Sequence, residues 1–118
     1  MRHWALATAL AAAITAGCAT GPLNAPPRIK HPSEAASVTI KRQWSIVGAP
    51  ATMFFVINDQ RIYGLLNGQR WSFQIDPDEY QFGYDLGFNS CRQRVILKPN
   101  TRYLLELTPV CQIEPRKL

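Results

Sequence analysis

The sequence has no apolar run long enough to cross a bilayer. Its longest, Trp4 to Ile14, covers about 11 residues, against the roughly 20 that a helical span requires. Histidine is almost missing. Of the two present, His3 lies at the extreme N-terminus and His31 in a proline-rich stretch, so Ser–His or Cys–His catalysis lacks its base. There is no Gly-rich phosphate loop and no Cys/His cluster at metal-ligand spacing. No cofactor or metal is therefore implied. Helical periodicity of useful length is also missing. Cysteine is scarce, at three, and the odd number matters below.

Carboxylates are present but poorly placed for chemistry. Asp76, Asp78 and Glu79 crowd into one short turn, where solvated acids are ordinary. Glycoside hydrolysis needs a second, facing carboxylate, and Asp85 is the nearby candidate. Calcium needs six or more oxygens, and the turn lacks that spacing. The expectation is a protein without catalysis.

The N-terminus has the order of an export signal. Met1, Arg2 and His3 give a short basic start, and the Ala/Leu-rich run follows. Ala11-Ala12-Ala13 offers the small-x-small site of an ordinary signal peptidase. Thr15-Ala16-Gly17-Cys18 resembles the lipobox of bacterial lipoproteins, with Thr15 standing where the family usually has leucine. That resemblance implies residues 1–17 as signal peptide, with a signal helix, and Cys18 as a diacylglyceryl-bearing first residue. Cysteine arithmetic favours it. An exported chain with three cysteines leaves one thiol unpaired, and lipidation of Cys18 removes the spare. Each buried methylene contributes about 0.8 kcal/mol, so two or more chains anchor a protein firmly. Ala19, where an Asp would retain such lipoproteins in the inner membrane, implies an outer-membrane lipoprotein facing the periplasm. Nucleic acid is not an expected partner there.

Removing residues 1–17 leaves 101 residues, enough for one small domain and a tether. Loss of Arg2 lowers the net charge from +5 to +4, which favours anionic surroundings without naming a partner. Residues 18–36 hold four prolines and little apolar periodicity. They read as a stiff spacer, reaching about 20–25 Å as a coil. Arg28, Lys30 and His31 are candidates to rest on headgroups, although a solvated linker with incidental charges is the plainer account of them.

Residues 37–118 have the texture of strands. Val38 to Lys41 alternates apolar and polar, and Met53 to Ile57 is apolar throughout. Asn67-Gly68 is a strong hairpin signal. Trp71, Phe73 and Ile75 share one face, as do Tyr80, Phe82, Tyr84 and Leu86. Arg92 to Lys98 and Arg102 to Leu107 form a further pair around Pro99-Asn100, and Val110 to Ile113 closes the series. Seven or eight short strands with close turns predict an all-β, small antiparallel β-sandwich. Cys91 and Cys111 flank the 92–107 hairpin, and a disulfide between them is expected to contribute about 3 kcal/mol.

The stretch "VINDQRIYGLLNGQRWSFQIDPDEYQFGY" with "ILKPNTRYLLEL" resembles uncharacterised bacterial lipoproteins with PEGA-like β-sandwich domains. Asn67, Gly68, Pro77, Tyr80, Pro99 and Tyr103 carry the likeness over residues 50–108, and Asp78 replaces the usual glycine. The resemblance implies an envelope surface or adaptor module without assigned catalysis. An envelope protein or an anionic polymer is a candidate partner.

Two features suggest contacts. The aromatics are many for so small a domain, and Phe54 and Phe55 must point oppositely, so one outer sheet face is expected to show an apolar patch. Arg92 and Arg94 alternate on one strand and Arg102 lies on the next. With an exposed Phe88 they would form a stripe for an anionic envelope polymer or glycan. A solvated sheet face, with Phe88 capping the core edge, is the plainer account of the same residues.

Overall fold

The structure, a computed structural model, describes residues 20–118. The expected signal helix and Cys18 lie outside the described residues. In chain order the strands are β1 (Gly21–Pro22), β2 (Ala36–Arg42), β3 (Met53–Ile57), β4 (Gln60–Leu65), β5 (Arg70–Ile75), β6 (Glu79–Asp85), β7 (Ser90–Ile96), β8 (Arg102–Leu107) and β9 (Ile113–Lys117), with one 3-10 turn at Pro32–Glu34. The first sheet is ordered β1-β4-β3-β6-β7 and the second β5-β2-β8-β9. The result is the all-β sandwich the strand pattern predicts. It has one strand more than expected, and one pair, β2 with β8, is parallel.

Alternation explains which faces meet. Along β2, Ala36, Val38, Ile40 and Arg42 point inward, and Ser37, Thr39 and Lys41 outward. Phe73 and Ile75 from β5, Phe82 and Tyr84 from β6, and Tyr103, Leu105 and Leu107 from β8 complete one apolar core. Phe55 stands at its centre, with ring centroids 5.9 Å from Phe73 and 5.4 Å from Phe82. A β-bulge at Phe55/Val56 leaves Ile62 without a cross-strand partner, so Ile62 and Tyr63 both pack on the core. Tyr63 there stacks on Trp71 at 4.5 Å.

The turns differ from expectation in an instructive way. Asn67-Gly68 does not close a hairpin. It carries the chain from β4 in the first sheet to β5 in the second. Pro99-Asn100 likewise links β7 and β8 across the sandwich. A turn residue specifies a reversal of the chain, not that the flanking strands hydrogen-bond. The tight two-residue hairpin is Asn58-Asp59, with φ of 49° and 65°, the left-handed pair of a type I′ turn.

The segment before β2 does not stand off the body as a spacer would. Gly21 and Pro22 pair with Gly64 and Tyr63, and Leu23 donates its N–H to the Ile62 carbonyl at 2.9 Å. Further on, the Asp76 carboxylate accepts the N–H groups of Lys30 and His31 at 2.9 and 3.0 Å. The segment therefore runs the length of the first sheet's edge, and the body begins at Ala36, already the first residue of β2. Proline spacing reports stiffness, and a stiff extended chain serves an exposed sheet edge as well as it serves a linker.

Cys91 is the second residue of β7 in the first sheet, and Cys111 lies in the β8–β9 loop of the second. Their disulfide, with Cα atoms 5.2 Å apart, staples the two sheets at one end. Replacing both, as Cys91→Ser with Cys111→Ser, is expected to lower the unfolding free energy by about 3 kcal/mol in a urea titration, from a loop of 20 residues released.

Candidate functional site

Four loops meet at the stapled end: residues 43–52, 66–69, 86–89 and 108–112. Their order is set by a buried cation. Arg42 is 2% exposed, and its guanidinium donates to the carbonyls of Ala51 at 2.7 Å, Leu65 at 2.8 Å and Gly48 at 2.9 Å. Burial lowers its pKa from the usual value, yet a guanidinium stays protonated at any ordinary pH. The carbonyl dipoles take the place of a carboxylate. One residue thus fixes two points in the 43–52 loop and the end of β4.

Each loop is then tied to the next. Asn67 accepts the Ser45 N–H at 3.0 Å and donates to the Ser45 carbonyl at 2.9 Å. Gly48, at φ +71°, lies where a Cβ would come within 3.1 Å of Leu86 and 3.2 Å of Phe88. Asn89 donates to the Pro109 carbonyl. The Tyr84 hydroxyl donates to the Thr108 carbonyl at 2.6 Å and accepts the Cys111 N–H at 3.0 Å. These polar groups are spent on one another, and large apolar side chains are left outside. Trp44 is 67% exposed, Ile46 79%, Phe88 66% and Val110 70%. Val47 and Leu66 add to them. Single exposed apolar residues are ordinary, whereas six on loops at one end mark a surface.

The outer face of the first sheet is not the apolar patch expected of it. Phe54 does point outward, but the Arg61 guanidinium lies over its ring at 4.3 Å. Asp85 binds Arg61 at 3.1 Å and Arg92 at 2.9 Å. Burial pushes the Asp85 carboxyl up, and hydrogen bonds from Arg92 and Arg61 outweigh it, so the net shift is downward. Arg92 also binds Asp59 at 3.2 Å and donates to the Tyr84 and Cys91 carbonyls. Its stem lies against Gly83, where a Cβ would also overlap the Cys91 carbonyl.

The arginine stripe read from the sequence is not assembled. Arg92 is committed to Asp85 and Asp59, and Arg94 pairs with Glu79 at 2.9 Å. Arg102 stands on β8, in the other sheet. The stripe assumed that β7 and β8 pair, and they do not. Phe88, by contrast, is exposed and belongs to the apolar loop end. Cys91 and Cys111 are joined, and Cys18 precedes the described residues.

The acidic turn has structural duties. Asp76 holds the N-terminal segment, Asp78 accepts the Glu79 N–H at 2.7 Å, and Glu79 is paired with Arg94. Burial, with the charges of Asp78 and Asp76, pushes the Tyr80 hydroxyl up to about 12, and that hydroxyl donates to the Asp76 carbonyl at 2.8 Å. Asp85 ends β6 and the acidic turn begins it, about 20 Å away along the strand, so no cleft joins them. A shallow polar groove beside β8 is lined by Gln43, Glu106, Thr108, Gln112 and Arg116.

No family model matches the chain, and no curated protein matches it. Among solved structures, the N-terminal domain of AlgF from P. aeruginosa is similar, with a TM-score of 0.54 over 75% of this chain and 98% of that one, at 16% identity. At that identity the likeness is one of fold.

Of the loop-end residues, sequence reasoning found Phe88 and missed Arg42. Its signal was present. Arg42 occupies the inward register of Ala36, Val38 and Ile40, which alternation alone assigns to the core. Arg42→Met keeps the volume and removes the donors. It is expected to cost about 2–4 kcal/mol in chemical denaturation, and to raise hydrogen exchange in residues 43–52 before the core.

The clamp at Asp76 is pH-dependent. Hydrogen bonding from the Lys30 N–H leads the causes that hold its carboxyl below the ordinary 3.8. A depressed carboxylate contributes stability above its unfolded pKa and loses it as pH falls through the folded value. The amide protons of Lys30 and His31 should therefore be protected at neutral pH and lose protection as pH falls through that depressed value, below 3.8, while Asp76→Asn weakens the protection at every pH. Amide exchange by NMR measures both.

Proposed function

We propose that this chain is a non-catalytic, lipid-anchored module of the bacterial envelope, with a structural or adaptor role, and that the loop end is the surface through which it engages its surroundings. The observation that carries this reading is the end itself. Four loops locked by Arg42, Asn67, Asn89 and the disulfide hold six apolar side chains in water. Rigid loops lose little freedom when covered, which suits them to binding. The lipobox-like Thr15-Ala16-Gly17-Cys18 supplies the anchor, and the PEGA-like turn pattern supports an envelope setting. The outer membrane, facing the periplasm, is the proposed location.

The alternative, a binder of anionic polymer or glycan, rested on Arg92, Arg94 and Arg102. Carboxylates now engage the first two, and the third faces away on another sheet, so no observation favours it.

Intact mass of the protein recovered from its membrane fraction tests the anchor. The expected mass is that of a chain starting at Cys18 with added acyl groups, and less two hydrogens for the Cys91–Cys111 bond. A chain starting near Ile14, without acyl mass, would make this an ordinary secreted protein. In the same preparation, Arg92→Glu with Arg94→Glu should leave retention on peptidoglycan unchanged.

A further inference from the structure

The direction of β1 says which end of the body faces the anchor. β4 runs from the Asn58-Asp59 hairpin toward the 66–69 loop. β1 is antiparallel to it, with Gly21 opposite Gly64 and Pro22 opposite Tyr63. The described chain therefore enters the body at the apolar loop end and runs away from it, toward Asp76 at the opposite end. Cys18 stands three residues before Gly21. Three residues of any conformation reach at most about 11 Å. An acyl group on Cys18 thus tethers the loop end within a headgroup layer's depth of the bilayer.

We propose that the apolar loop end rests in the interfacial layer of the membrane that carries acylated Cys18, so that the body stands on the bilayer instead of being lifted from it. This rests on the lipid-anchor reading above. The surface has the right composition. Trp44 is a residue type enriched at membrane interfaces, and Ile46, Val47, Leu66, Phe88 and Val110 add exposed aliphatic and aromatic area on the loops of the same end. The charges nearest this end suit headgroups. Lys41 and Arg70 oppose each other on β2 and β5, while Glu106 and Asp85 are each held by arginine. Lys30 and His31, candidates for headgroup contact by sequence, are held at the other end, where their backbone N–H groups bond to Asp76. β1 is the strap that keeps this geometry. If residues 20–35 peeled off, the loop end would be free to leave.

The test uses the full chain, processed in its host and reconstituted into phosphatidylethanolamine/phosphatidylglycerol vesicles with and without brominated acyl chains. Trp71→Phe leaves Trp44 as the reporter in the chain from Cys18 onward. Where that change disturbs the stack with Tyr63, the unsubstituted protein serves, with Trp71 as a constant background. Trp44 emission should shift to the blue and be quenched about twofold or more by brominated lipid. Ile46→Asp with Phe88→Asp, both exposed positions, should lose most of that quenching while intact mass shows the acyl groups retained. Acylated protein whose Trp44 emits as in water would overturn the proposal and leave the anchor standing. A mass without acyl groups would overturn the anchor and the proposal together. Trp44 shielded in native membranes but unquenched in vesicles would mean that a protein covers this end, and would also overturn it.

Discussion

A guanidinium enclosed by protein has few acceptable surroundings. Leaving it without acceptors costs several kcal/mol, so Arg42 must keep its three carbonyls, and those carbonyls belong to Gly48, Ala51 and Leu65. The chain between β2 and β3 is bound to close over the side chain, and the end of β4 is bound to meet it. Everything else at the loop end follows from that closure. Ser45 is brought to Asn67, Gly48 to Leu86, and the apolar residues between them have nowhere to go but outward. The exposure of Trp44, Ile46 and Val47 is thus not a failure to bury them. It is the geometric remainder of satisfying a charge.

The same order of priorities explains the outer face of the first sheet. Adjacent Phe54 and Phe55 cannot both reach the core, and Phe55 takes it. Arg61 then covers Phe54 and is itself held by Asp85, which in turn holds Arg92. Charges that look available in a linear sequence are consumed locally because strands place opposite charges within reach. A surface of balanced pairs has little left for a polymer, whereas the unpaired apolar end has a good deal left for something greasy.

Much of the fold was legible from alternation. The inward faces of β2, β5, β6 and β8 follow from period two, and the Cys91–Cys111 bond from cysteine number and spacing. What escaped was which strand pairs with which. Asn67-Gly68 and Pro99-Asn100 announce reversals, but whether the next strand lies beside its predecessor or crosses to the other sheet depends on the facing core, which no local signal encodes. That error carried the arginine stripe with it. The N-terminal segment was misjudged for a related reason. Its four prolines exclude a central strand, yet the unpaired edge of β4 that receives Gly21 and Pro22 is visible only once the sheet exists. Whether Cys18 bears lipid is a matter of processing enzymes, and the residues around it speak to that more directly than the fold does.

The parallel pairing of β2 with β8 joins Ser37 to Arg102 and Arg42 to Leu107, and those partners are some 65 positions apart in the chain. Strand β2 lies in the interior of its sheet, so its backbone groups on that flank stay unmet until β8 has been made. A polypeptide emerging from its N-terminus must hold this strand open while nearly the whole of the rest is delivered. Such long-range closure is intrinsically slow. Completion of the second sheet is therefore a late event, in which the C-terminal stretch of the chain closes a strand laid down near its start.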